Sequence, residues 1–197
     1  MLSKLLEFST SELCDGAEFP RPMDYRIKPW VGTGRVAGRA VTVDVPAGEG
    51  DIIADAILQL KEGDVLVIAG KGCCSHSYWG DFRSFCAKKT GAAAVVIDGA
   101  FRDVEECKEI GFPVFAMAVT CPTAAKKGTG KINVPVSCGG VCVRPGDLIV
   151  GDANGVCVID PGEAEAIMEK AEKKRAAQAK VIEEMERTGI LKTRIKK

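Results

Sequence analysis

The stretch Ala94-Val95-Val96-Ile97-Asp98-Gly99-Ala100-Phe101-Arg102-Asp103 decides the fold. Its consecutive apolar residues, mostly β-branched, predict a strand buried on both faces, as in a sheet covered by helices. The strand is expected to end at Asp98-Gly99. After it come Arg102 and Asp103, and then a short helical segment, Val104 to Ile110, closed by Gly111. A charged pair therefore stands at the carboxyl end of a buried strand and ahead of a helix, the edge where α/β proteins bind ligands.

The same grammar extends in both directions. Upstream, Val65-Leu66-Val67-Ile68 predicts a second buried strand, entered through Gly63-Asp64 and preceded by helical spacing over Asp51 to Leu60. Gly70 to Trp79 is expected to be a loop, and Asp81 to Thr90 a helix ended by Gly91. Further upstream, Gly38 to Val45 predicts a strand, Phe19 to Val31 an extended loop with three prolines, and Ser9 to Ala17 a capped helix. Downstream, Pro113 to Val119 predicts a strand and Thr120 to Lys131 a polar loop. Val134 to Val143, Asp147 to Val150 and Val156 to Ile159 are further strands, and roughly residues 163–187 form a long helix before a basic, frayed tail at 192–197. Helix and buried strand alternate in the middle and strands crowd together later, which predicts an α/β fold with a mixed or layered sheet in one domain over residues 1–197.

Bulk properties exclude several classes. Lys+Arg and Asp+Glu both number 27, so the net charge is zero and no general attraction to nucleic acid or anionic lipid is expected. No apolar run reaches membrane-spanning length, and Met1 to Glu7 is too charged for a signal peptide. The nine cysteines lack any CxxC pair. Several lie in apolar runs such as Val141-Cys142-Val143 and Val156-Cys157-Val158, where a thiol acts as a small hydrophobe. A reducing cytoplasm is the expected compartment.

Three candidate features carry chemistry. Arg102 offers a planar fork for a carboxylate or enolate, and Asp103 a hard oxygen ligand for a divalent cation; the plainer alternative is a helix-capping Asp beside a surface Arg. Gly80-Asp81 opens a helix, and the amides of Gly80, Asp81, Phe82 and Arg83 could cradle an anion; the alternative is an ordinary helix start. His76, the single histidine, lies in the Cys73-Cys74-Ser75-His76 loop, as a general base or simply as a loop residue. No nucleotide-binding glycine motif, catalytic triad order or HExxH sequence is present.

Taken together, these blocks resemble the RraA-like family, which includes 4-hydroxy-4-methyl-2-oxoglutarate aldolases and the regulator of ribonuclease activity A. The resemblance runs through Ser11-Glu12-Leu13-Cys14-Asp15-Gly16-Ala17, Gly38 to Val43, Gly63 to Val67, Trp79-Gly80-Asp81, Val95 to Asp103, Pro113 to Ala116 and Gly139 to Val156. It implies layered β-sheets flanked by helices, an αββα sandwich assembled as trimers or hexamers, with the C-terminal helix packing on a neighbouring subunit. It implies a metal-dependent lyase that cleaves 2-oxo acids to pyruvate or decarboxylates oxaloacetate. Arg102 would bind the oxo acid and stabilise the enolate, Asp103 would hold Mg2+ or Mn2+, and the Gly80 to Arg83 amides would take the substrate carboxylate. Asp81 and Asp15 would act through metal-bound waters. One departure is Gln178, the best match for a glutamate that the aldolases' C-terminal helix supplies to a neighbour; Gln cannot take a proton as a base. The Cys73-Cys74 loop also differs from the family's small, Gly-rich loop. A non-catalytic regulator and a same-fold enzyme with another substrate therefore stand as alternatives.

Overall fold

The computed structural model describes residues 1–194. The helical turn α1 (Leu2–Leu5) leads to α2 (Thr10–Gly16). Ser9 caps α2: its hydroxyl accepts from the Glu12 amide at 3.2 Å, and Glu12 accepts in return from the Ser9 amide at 2.8 Å. Then follow β1 (Lys28–Val31), β2 (Val36–Asp44), α3 (Ile53–Ile57), β3 (Asp64–Ser77), α4 (Asp81–Lys89), β4 (Ala94–Phe101), α5 (Val104–Ile110) and β5 (Val114–Val119). The short strands β6 (Lys131–Ile132), β7 (Val136–Cys138) and β8 (Val141–Val143) precede β9 (Leu148–Asp152), β10 (Gly155–Ile159) and the long helix α6 (Ala164–Thr188).

The main sheet has the order β1-β5-β4-β3-β2-β9-β10. Its centre, β2 to β5, is parallel, while β1, β6, β9 and β10 join antiparallel. Parallel neighbours require crossovers, and α3, α4 and α5 supply them. The period of two decides where each side chain goes. Leu66, Ile68, Val95, Ile97, Val114 and Ala116 face the core covered by α3 to α5. Their alternates Val65, Val67, Ala94, Val96 and Phe115 face a second core closed by the β7–β8 hairpin, through Val136, Cys138 and Val143. A third core packs Leu5, Phe8, Leu13, Ile167 and Met168 of the helical layer on Leu148, Val150, Cys157 and Ile159. The result is a curled mixed sheet flanked by helices, the layered α/β architecture anticipated above.

Several boundaries differ from expectation. The anticipated loop at 70–79 is largely the second half of β3, which leaves the ladder after Ile68, turns at Lys71 (φ 59) and Gly72, and re-pairs with β4 at Cys73↔Gly99 and Ser77↔Ala100. Likewise β4 continues past Asp98-Gly99 to Phe101, because both excursions satisfy each other's backbone groups. The stretch 134–143 is a hairpin turning at Gly139-Gly140, both at positive φ, rather than one strand. Cys142 lies on the hairpin's outer face beside Ser137 and is exposed, so it is not the buried apolar filler its neighbours suggested. The proline-rich segment ends in a true strand, β1, paired with β5. The helix expected over 51–60 is regular only over Ile53–Ile57, yet Ile53, Ala56, Ile57 and Leu60 are all buried as the spacing required. Of the tail expected at 192–197, residues 195–197 lie outside the described residues.

Candidate active site

The carboxyl ends of β3 and β4 meet where the chain turns into α4 and α5. Two backbone bonds join them: the Tyr78 amide donates to the Ala100 carbonyl at 2.9 Å, and the Arg102 amide to the Trp79 carbonyl at 3.0 Å. This cross-tie brings Gly80 against Asp103. A Cβ at Gly80 would run into the Asp103 carboxylate and crowd the Arg102 stem, although its extended backbone (φ −169) would suit any residue. Glycine is needed there for closeness, not for conformation.

Asp103 itself is left-handed (φ 56, ψ 49), a region Asp tolerates better than most residues. Its side chain caps nothing on α5. It accepts instead from Arg102 Nε at 3.1 Å, and both side chains remain partly open to solvent. Across the gap, Gly80 is the N-cap of α4 with no side-chain cap, so the first amides of the helix are directed at the opening. In this state the Phe82 amide donates to the Asp81 carboxylate at 2.6 Å. A carboxylate thus already sits where that helix end favours an anion.

The cavity holds about 160 Å³ and is lined by Ser77, Tyr78, Trp79, Gly80 to Arg83, Arg102, Asp103, Thr123 and Lys126. Three cationic side chains and two carboxylates therefore share it. Arg83 is pinned to the Tyr78 carbonyl and, at 2.6 Å, to the Gly50 carbonyl; burial pushes its guanidinium below the usual range. Trp79 forms the floor, donating to Ser84 Oγ at 2.8 Å and stacking on Phe112 at 6.0 Å between ring centroids. Burial raises the Tyr78 phenol to about 12; its oxygen accepts from the Gly48 amide at 2.8 Å and donates to the Gly70 carbonyl at 3.0 Å.

Thr123 and Lys126 gave no signal in the sequence, since their loop showed only a polar composition. The loop reaches the cavity through the Ser77–Thr123 bridge, in which the Ser77 amide donates to Pro122 O at 2.7 Å and the Ala124 amide to Ser77 O at 3.0 Å. Glu49 fastens its far side. Only 4% exposed, it accepts from the Lys127 amide at 3.1 and 3.0 Å and from the Asp51 amide at 3.0 Å. These backbone donors, that of Asp51 foremost, hold its carboxyl below the usual value.

Of the residues singled out in the sequence, Gly80, Asp81, Phe82, Arg83, Arg102 and Asp103 come together in this cavity. Asp15 does not: on α2 it pairs with Lys174 of α6 at 2.7 Å. Gln178 is exposed on α6 and does not line the cavity of its own chain. His76 stands beside it, with Nδ1 3.4 Å from Ser75 Oγ, rather than in it. Among the described residues, no group of three or more His, Cys, Asp or Glu is placed to hold a metal ion. Nor is any described helix long and apolar enough to cross a membrane.

The small, charge-lined cavity lies at the strand ends of a parallel-centred α/β sheet, the edge at which folds of this class commonly hold ligands. The chain belongs to the RraA-like family: the family description Aldolase/RraA matches residues 10–158. A Halalkalibacterium halodurans protein that carries the provisional name 4-hydroxy-4-methyl-2-oxoglutarate aldolase is 47% identical over 150 residues, covering 76% of this chain and 71% of its own. An uncharacterized protein of Methanocaldococcus jannaschii is 39% identical over 182 residues, covering 91% and 86%. Among solved structures, the RNA-processing inhibitor RraA from Thermus thermophilis superposes with a TM-score of 0.72 at 29% identity, over 78% of this chain and 93% of that one.

Proposed function

We propose that the chain is a divalent-metal-dependent lyase acting on 2-oxo acids, releasing pyruvate by retro-aldol cleavage or by decarboxylation of oxaloacetate. The observation that carries this reading is the apposition of Arg102 and Asp103 to Gly80 within a cavity that also holds Arg83 and Lys126. The aldolase name of the Halalkalibacterium relative supports it.

The donor set fits a hard cation. Mg2+ or Mn2+ takes one or two carboxylates and keeps several waters, and Asp103, whose carboxylate caps no helix, and Asp81 are oxygen donors of that kind. When bound, such an ion supplies Lewis acidity to the 2-oxo group. Arg102 binds the carboxylate and keto oxygen of the oxo acid and holds the negative charge that develops on cleavage. The amides at the start of α4 receive the substrate carboxylate as Asp81 gives up the Phe82 amide. Asp81, released, holds a proton or passes it through water. Trp79 and Tyr78 exclude bulk water from the floor. Asp15, Gln178 and the outer part of α6 contribute only if a neighbouring subunit of a homotrimer or homohexamer brings them in.

A second reading, a non-catalytic binding protein, draws on the likeness to an RNA-processing inhibitor and on Gln178, the best sequence match for the glutamate that the aldolases' C-terminal helix supplies. Pyruvate release from oxaloacetate and from 4-hydroxy-4-methyl-2-oxoglutarate, with and without Mg2+ or Mn2+, separates the two. Metal-stimulated release that chelation and Asp103→Asn both abolish supports the lyase. Release that survives either change overturns the metal-dependent mechanism, and none from either substrate favours the binding protein.

A further inference from the structure

Beneath the cavity floor, α4 packs on α5. Ser84 and Ala87 are the buried residues of α4, and Cys107 is that of α5. Cys107 shares its core with Trp79, Ala87 and Phe112, and neither Cys107 nor Ser84 has any exposed surface. Polar groups in such a place are costly unless their bonds are made. Among the described residues, no buried side-chain nitrogen or oxygen lacks a partner.

The bonds here run in one direction. The Trp79 indole can only donate, and it donates to Ser84 Oγ at 2.8 Å. Cys107 Sγ lies 3.6 Å from the Arg102 carbonyl oxygen, which can only accept, so the single thiol hydrogen is directed there. The remaining contact, 3.5 Å between Ser84 Oγ and Cys107 Sγ, is then donated by the serine hydroxyl. Burial raises the Cys107 thiol above its ordinary value, which keeps it protonated and able to donate.

Both ends of this chain of bonds reach the pair that faces the cavity. The Arg102 amide donates to the Trp79 carbonyl at 3.0 Å. Trp79 therefore holds the Arg102 backbone at its N–H directly, and at its C=O through Ser84 and Cys107. Cys107 also donates its own amide to the Asp103 carbonyl at 2.8 Å. One residue thus fixes the carbonyls on either side of Asp103, whose backbone is left-handed (φ 56, ψ 49). A non-glycine residue stays in that region when its surroundings over-determine it. A thiol is a weak donor, so the effect is on orientation more than on stability.

We propose that Ser84 and Cys107 are positioning residues: with the Trp79 indole they form a directional hydrogen-bond relay that sets the orientation of the Arg102-Asp103 turn at the cavity. The consequence for catalysis rests on the lyase reading; the relay itself does not. Without the relay the Arg102 carbonyl is released, the turn rotates, and the Asp103 carboxylate moves away from Gly80.

The test compares substitutions in the full chain. Cys107→Ser keeps a donor and an acceptor, whereas Cys107→Val fills the space with neither. In Cys107→Val the affinity for Mn2+, read from the electron paramagnetic resonance of the free ion, falls by about 10–100-fold, the scale for groups that orient a metal's ligands. The kcat for pyruvate release falls with it and KM changes little. Cys107→Ser keeps both within severalfold of the unmodified chain. In proton–nitrogen NMR spectra of the metal-free chain, the Trp79 indole and Asp103 amide resonances shift in Cys107→Val and stay near their places in Cys107→Ser. The chain has two tryptophans, so Trp30→Phe identifies the indole signal. Packing alone predicts the opposite order, since valine keeps the apolar contacts and serine does not. Ser84→Ala gives the Cys107→Val pattern; if it fails to fold because the indole is left unpaired, the two Cys107 variants carry the test. A chain that binds no Mn2+ or releases no pyruvate in any form removes the lyase reading and leaves the two resonances to decide the relay. Resonances unmoved in Cys107→Val, or moved as far in Cys107→Ser, overturn the proposal.

Discussion

The carboxylate of Asp103 lies against Gly80, leaving no space for even a methyl group between them. The contact follows from the two backbone bonds joining 78–79 to 100–102, so the distance is set by the sheet rather than by a flexible loop. Gly80→Ala should therefore fold normally, since φ −169 suits alanine, yet displace the Asp103 side chain. A displacement on the scale of an ångström costs about a hundredfold in a positioned site. Pyruvate release should fall by that order while Tm stays near that of the unmodified chain. Unchanged kinetics would remove Asp103 from the chemistry.

Arg102 donates to Asp103 through Nε, which leaves the terminal nitrogens of its fork for a ligand. Lysine keeps the charge but not the planar fork. Arg102→Lys should lower kcat/KM by about 10²–10³-fold, the scale of losing a preorganised donor to a developing oxyanion, with most of the loss in kcat. A change confined to KM would assign Arg102 to substrate capture alone.

Much of this geometry was legible in the sequence because it is local. Apolar runs at 65–68 and 94–97 read as strands with both faces covered, and the pairs at 80–81 and 102–103 stand in the turns that come after them. The apposition of Gly80 to Asp103 was not legible as geometry, because it depends on β3 leaving the ladder after Ile68 and returning at Ser77, a path set by pairing with β4. Lys126 was hidden for a related reason: its loop has no periodicity, and its place is fixed by Glu49, far away in sequence.

Glu49 should act as a positioning residue for Lys126. Glu49→Gln keeps the size but loses the charge that strengthens its bonds to the Lys127 and Asp51 amides. KM for an anionic substrate should rise by severalfold with kcat little changed, and the Lys127 amide should exchange faster with solvent. The folded carboxyl titrates below its ordinary value of 4.5. Its contribution is therefore complete above that value and lost as pH falls through the folded one, so the two proteins should converge in stability on the acid side. A stability gap that persists unchanged in acid would mean that the charge is not what matters.

Thr10 ties the start of α2 to Asp152 on β9, through its amide at 2.8 Å and its hydroxyl at 2.7 Å. Asp152 is 6% exposed; burial would raise its carboxyl, but the Thr10 and Asn154 donors outweigh that and leave it below 3.8. Thr10→Val retains the shape and the backbone bond while removing the 2.7 Å hydroxyl bond. Loss of one hydrogen bond to a buried charged acceptor costs about 2 kcal/mol, measurable by urea denaturation at pH 7. The carboxylate's contribution is present above 3.8 and disappears as pH falls through the lowered folded value. The deficit of Thr10→Val should therefore be largest near neutrality and shrink in acid. A deficit that persists unchanged in acid would show that the charge of Asp152 is not what the Thr10 hydroxyl engages.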